Sequence, residues 1–184
     1  MTAYKLITIL SILTLFFSCD NNKHGRQNEI KRVVFATGGC YGHCPIQAIE
    51  IDSSLKFKYH GVEYTDRIGF FVGNITNDFW DTLNFKFENI NYKQLDSSYE
   101  HSVDDLSTEI YIYYNNKVKH IHGQSASLPD SVLTVYQWLM TEIKRLKMLS
   151  TNDSLTFPTI IEKPLPMPPI PENFKFVPPT VEDK

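Results

Sequence analysis

The groups in this chain that can do chemistry are thiols, imidazoles and paired carboxylates, and most of them fall in three short stretches. The first is Cys40-Tyr41-Gly42-His43-Cys44-Pro45, two thiols with an imidazole between them. Such a pair can close a disulfide. As thiolates it can instead hold a soft ion such as Cu(I), with His43, His120 or His122 as a third ligand. The second stretch holds His120 and His122, whose i, i+2 spacing puts both imidazoles on one face of a strand, where they bind metal or simply meet solvent. The third is Asp104-Asp105; adjacent carboxylates in a loop point apart, which suits solvation or capping better than shared acid–base work. No G-x-S-x-G, H-E-x-x-H, P-loop or dinucleotide fingerprint is present, so no catalytic residue is assigned. No cofactor is called for either, copper at the cysteine pair being the alternative.

The positions of these groups depend on what surrounds them. At 184 residues, 42% hydrophobic and 21% charged, the chain fits one globular domain with extensions and is too apolar for a disordered one. Its 18 basic residues face 21 acidic ones, the pI is near 6.1, and nowhere do four Lys or Arg cluster. The positive surface that phosphate backbones require is missing, and nucleic acid is not an expected partner.

The N-terminus carries Lys5 and then an uncharged, mostly apolar run, Leu6 to Phe17. As a helix this run rises about 18 Å, too short for a hydrocarbon core of about 30 Å but the length of a secretory h-region. Ser18, Cys19 and a polar stretch follow. A small residue before a cysteine at the end of an h-region resembles the lipobox of bacterial lipoproteins, with Phe16 and Phe17 where the usual motif has Leu and a small residue. The resemblance implies that residues 1–18 are a signal peptide and that Cys19 is acylated. It also implies a mature domain on an extracytoplasmic membrane surface, the periplasmic face or the cell exterior. Several acyl chains hold a protein there where one myristoyl group would not. Cleavage removes Lys5 and leaves a net charge of −4. With Cys19 taken by lipid, the odd count of three cysteines leaves an even pair. In an oxidising compartment the simplest reading is a Cys40–Cys44 disulfide stapling the glycine-rich loop.

Residues 19–30 are polar and read as a tether, and residues 31–149 as one domain. Val33 to Ala36 is apolar on both faces and predicts a strand well inside a sheet. Ile46–Ile51 and Leu55–Tyr59 predict two more, with a turn at Asp52-Ser53-Ser54 and another at His60-Gly61; Gly69–Ile75 predicts a fourth. Thr76 or Asn77 can cap a helix reaching about Phe85. Asn115-Asn116 between two alternating runs reads as a two-residue turn, because Asn tolerates positive φ. That register pairs Tyr114 with Lys117, Tyr111 with His120, Ile110 with Ile121 and Glu109 with His122. Ile110, Ile112 and Ile121 then share the core face, and Glu109, Tyr111, Tyr113, Val118, His120 and His122 the other. Ser131–Lys147 carries an apolar stripe at helical spacing, Val132, Val135, Tyr136, Leu139, Ile143 and Leu146, with basic residues at its negative end. The expected fold class is α+β: an antiparallel sheet of about five or six strands, two helices packed on it, and a C-terminal tail.

That tail, residues 150–184, holds eight of the ten prolines and reads as extended or disordered. Leu165, Met167, Ile170 and Phe174 on a pre-extended backbone make it a candidate binding segment for an envelope protein partner.

Two further resemblances bear on the cysteine loop. Cys-x-x-x-Cys-Pro resembles the thiol pair of the copper chaperones that serve cytochrome oxidase assembly. Those proteins place a helix after the motif, whereas Pro45 here leads into a strand-like run. A longer similarity covers about Lys31 to Lys147. Gly39-Cys40-Tyr41-Gly42-His43-Cys44-Pro45, Arg67-Ile68-Gly69, an aromatic helix, a hairpin and a final helix together resemble an uncharacterised family of small bacterial domains. Its hallmark is Gly-x-Cys-aromatic-Gly-x-Cys-Pro; Gln47 stands where the family usually has an aromatic. Many of its members are predicted to be exported or lipoproteins. The resemblance implies architecture and no activity. The function expected is a membrane-anchored, non-enzymatic envelope binding module, with a thiol, copper or redox protein as the alternative.

Overall fold

A segment apolar on both faces belongs at the centre of a sheet. The computed structural model, which describes residues 29–40, 42–100 and 105–159, places β1 (Ile30–Thr37) there. It is followed by β2 (Ile46–Asp52), β3 (Lys56–Glu63), β4 (Gly69–Asn74), α1 (Asn77–Asn89), β5 (Ser98–Tyr99), β6 (Ser107–Tyr114), β7 (Lys117–Gln124), α2 (Asp130–Arg145) and β8 (Leu149–Thr151). The strands form one sheet in the order β5-β7-β6-β1-β2-β3-β4-β8. Each neighbouring pair is antiparallel except β5 and β7, which are parallel. Among the described residues the architecture is therefore two helices with an eight-stranded mixed sheet, larger than the five or six antiparallel strands expected. The added edge strands, β5 and β8, span two and three residues, too few to show a period of two.

Odd-numbered residues of β1 (Val33, Phe35) and β2 (Ile49, Ile51) join Phe57, Ile110, Ile112 and Ile121 on one face, all buried. The helices cover that face. In α1 the Thr76 hydroxyl accepts from the Phe79 N–H at 3.1 Å, capping the first turn, and Trp80, Leu83 and Phe87 point inward. Phe87 thus lies within the helix, which runs past its expected end. In α2, Val132, Val135, Leu139 and Ile143 form the buried stripe, while Tyr136 stacks on Phe35 with centroids 5.2 Å apart. Each large side chain so buried contributes about 1.5–3 kcal/mol. Phe79 and Trp138 join the two helices at 5.2 Å.

The β6–β7 hairpin has the expected register throughout, and Asn115 and Asn116 both take positive φ (43° and 58°). His60 and Gly61 do not turn; β3 continues to Glu63 and the chain reverses over residues 64–68. Gly61 is in the strand because the Arg67 carbonyl passes where a Cβ would stand.

The face away from the helices is covered differently. Val34, Ala36 and Ala48 are fully buried there. After β8 pairs with β4, the chain crosses this face as a strap. Thr156 accepts from Lys58 Nζ at 2.6 Å, Phe157 lies parallel to the His60 ring, and the buried Thr159 hydroxyl donates to Glu109. A domain boundary at 149 falls inside β8, and the start of the proline-rich segment is part of the folded unit.

Candidate functional site

The cysteine loop joins β1 to β2 and is tied down at both ends. Thr37 Oγ1 donates to the Pro45 carbonyl at 2.6 Å, and Gly38 N–H donates to Ser107 O at 2.9 Å. Cys40 and Cys44 are bonded to each other, with Cα atoms 5.7 Å apart. Both sulfurs are therefore engaged, and neither is a free thiolate. His43 is exposed and stands edge-on to Tyr64, ring centroids 4.8 Å apart.

Beside this loop, on the helix side of the sheet, a groove of about 290 Å³ opens between β2, β3, the 64–68 turn and α2. Pro45 forms one wall; Tyr59, Tyr64, Arg67, Tyr136 and Met140 supply most of the rest. Its polar groups are held in place. Tyr59 OH donates to Gln47 Oε1 at 2.8 Å, and Gln47 Nε2 donates to Met140 Sδ at 3.3 Å. Arg67 Nη1 donates to Leu146 O at 3.2 Å, so its guanidinium braces the negative end of α2. Burial pushes the phenols of Tyr59 and Tyr136 up, keeping both protonated. The groove thus combines aromatic walls, a braced cation and two protonated phenols, one of them already bonded to Gln47.

A second cluster lies on the opposite face, at the β6–β7 end. In register His122 faces Glu109, yet the imidazole nearest the Glu109 carboxylate is the diagonal one, His120 (Nε2 to Oε1, 3.6 Å). His122 instead meets Glu100, just after β5, at 3.0 Å. Tyr111 stacks on His120 with centroids 4.1 Å apart and donates to Glu109 Oε2 at 3.3 Å. Burial, helped by Glu109, pushes the Tyr111 phenol up to about 12. Burial pulls the His120 imidazole down despite the nearby carboxylate. Among the described residues no group of three or more His, Cys, Asp or Glu is arranged to hold a metal ion.

The proposed ligand set is thus divided: Cys40, Cys44 and His43 sit together at the loop, while His120 and His122 belong to the far face with glutamate partners. Asp104 and Cys19 lie outside the described residues, and Asp105 accepts from the Ala126 N–H. Sequence reading missed Gln47, Tyr59, Arg67 and Tyr136 as a wall. Their signals were separate: Gln47 where the family has an aromatic, Tyr59 in a strand, Arg67 in the Arg67-Ile68-Gly69 turn and Tyr136 in a helical stripe.

The loop, the turn bearing Arg67 and all but the last two residues of α2 fall within residues 31–143, the span matched by the family model of a domain of unknown function, DUF6438. The chain belongs to the DUF6438 family. No curated protein matches it. Within the DUF6438 span the disulfide loop and the groove are neighbours, whereas β8 and the strap fall beyond its end. No helix among the described residues is long and apolar enough to cross a membrane.

Proposed function

We propose that this chain is a lipoprotein of a bacterial envelope, anchored through acylated Cys19, whose DUF6438 domain is a non-enzymatic binding module. The observation that carries the binding reading is the groove beside the Cys40–Cys44 loop, whose polar side chains are committed to structural bonds while its aromatic walls stay open. The disulfide keeps the loop in one shape at the rim. Exposed Tyr64 and Ile68 extend the apolar surface outward. The proline-rich segment after Thr159 is a second contact for an envelope partner.

The anchor is tested by palmitate labelling of the full chain and a Cys19→Ala variant. The variant is expected to lose the label and leave the membrane fraction; retention in that fraction would overturn the anchor. The groove is tested with a photoreactive residue at Tyr64 in cells, which is expected to give an adduct with an envelope component that Arg67→Ala weakens. An adduct-free result defeats the binding reading. The copper alternative needs the Cys40–Cys44 bond opened. Stoichiometric Cu(I) uptake that appears once the bond is reduced and is lost in a Cys40→Ser variant would favour it over the binding module.

A further inference from the structure

The groove beside the cysteine loop holds a cation without a counterion. Arg67 is part of its wall and half-buried. Its guanidinium has five N–H donors in a fixed fork. Two contacts brace it against α2, Nη1 to Leu146 O at 3.2 Å and Nη2 to Lys144 O at 3.5 Å, and both acceptors are neutral carbonyls. Among the described residues no carboxylate forms an ion pair with it. Its neighbour Asp66 turns to Lys144 instead (Oδ2 to Nζ, 3.4 Å), and both of those side chains are largely in water. The charged residues lining the groove are Asp66, Arg67 and Lys144, so once that pair cancels, the positive charge of Arg67 remains. The negative end of α2 offsets only part of it.

Around this cation the walls are aromatic and apolar, and the Tyr59 and Gln47 side chains are already hydrogen-bonded to each other. A complementary ligand therefore brings an apolar group and an anion together. At about 290 Å³ the groove is at the small end for ligand sites, with room for one side chain and its charged group. Within an extended peptide, the carboxylate of an Asp or Glu and the apolar side chain next to it point to opposite faces. The last residue of a chain carries both on one carbon. Its planar carboxylate also matches the guanidinium fork, which can bind it through two parallel N–H···O bonds. We propose that the groove takes the C-terminal residue of a partner chain, with an apolar or aromatic side chain among the tyrosines and the terminal carboxylate on Arg67. The residues before it then run out over Tyr64 and Ile68, 48% and 68% exposed, which a small free acid would leave uncovered. The proposal rests on the groove being the binding site and adds the chemistry of what is bound there.

The test uses the full chain in detergent and a pool of short peptides, randomised except for a last residue of Phe, Tyr, Leu or Met. The pool is made once as free acids and once as C-terminal amides. The acids are expected to be retained about tenfold more than the amides. Arg67→Gln is expected to erase that difference while sparing the weak retention of the amides, and Arg67→Lys, which keeps the charge and loses the fork, to restore part of it. The comparison of acid with amide needs no variant, so a loosened α2 in either variant does not blur it. Equal retention of acids and amides would overturn the terminal carboxylate. If both were then lost in Tyr64→Ala, the groove would still stand as the binding site. Retention of neither pool would also overturn the proposal, and the photoadduct at Tyr64 in cells then decides separately on the groove. N-acetylphenylalanine binding as tightly as the best peptide would assign the groove to a small free acid and overturn the partner chain.

Discussion

The two faces of this sheet are built from alternate residues of the same strands and are closed in different ways. On the helix side, large apolar side chains from five strands meet two amphipathic helices, and the aromatic groove lies at the margin of that contact. On the other side, alanines, a valine, charges and histidines meet a single extended strap. A helix buries a wide stripe per turn, whereas an extended chain contributes one side chain in two. The first face thus carries most of the stability. The second has small residues where a backbone must lie close, and polar groups that hold it in register.

The largest effect expected from this contrast is at Leu139, fully buried on the helix side. Leu139→Ala should cost about 2–5 kcal/mol in urea unfolding. A loss under about 1 kcal/mol there would remove the asymmetry. Ala48→Leu, in the trough under the strap, should cost about 1–3 kcal/mol through overpacking and speed amide exchange in residues 155–159 while α1 and α2 stay protected. Equal acceleration in the helices would show that the two faces are not separable. Phe157→Ala should cost only about 1 kcal/mol, since its ring is half-buried, and open the strap locally.

The smallest effect is in pH. Burial holds His60 and His120 below the ordinary imidazole value of 6.5, against the pull of Glu109 on His120; Lys58 flanks His60 and His122 flanks His120. The unfolded chain therefore binds protons first. Stability is full above pH about 6.5 and falls as pH drops below it, until the folded imidazoles also protonate. A His60→Gln, His120→Gln variant should show a shallower acid slope in denaturant midpoints, whereas an unchanged slope would place the sensitivity elsewhere.

Much of the fold was legible because its periods are long. The β6–β7 hairpin could be registered residue by residue from alternation and two asparagines, and α2 from one apolar stripe. Features made by distant approach were not legible. Gly61 looked like a turn because the reason for it, the Arg67 carbonyl, lies outside its strand. Arg67 gave no hint of bracing α2, whose Leu146 carbonyl is 79 residues away. His122 was matched with Glu109 by register, but β5, too short to be read, brings Glu100 to it. The cysteine loop was legible as a staple, since two cysteines in a glycine-rich stretch leave few other uses, while the groove beside it needed the tertiary structure.

The central place of β1 also has a mechanical consequence. The described residues start at Glu29, and β1 is hydrogen-bonded along its length to β2 on one side and β6 on the other. If Cys19 is acylated as proposed, a pull on the domain enters through Ile30, in line with the innermost strand. Tension along β1 loads both ladders in shear at once instead of peeling an outer strand one bond at a time. Resistance to such a pull is set by the rate of forced unfolding. A domain tethered by its middle strand is in this way suited to bearing load between a surface and whatever its groove or tail holds.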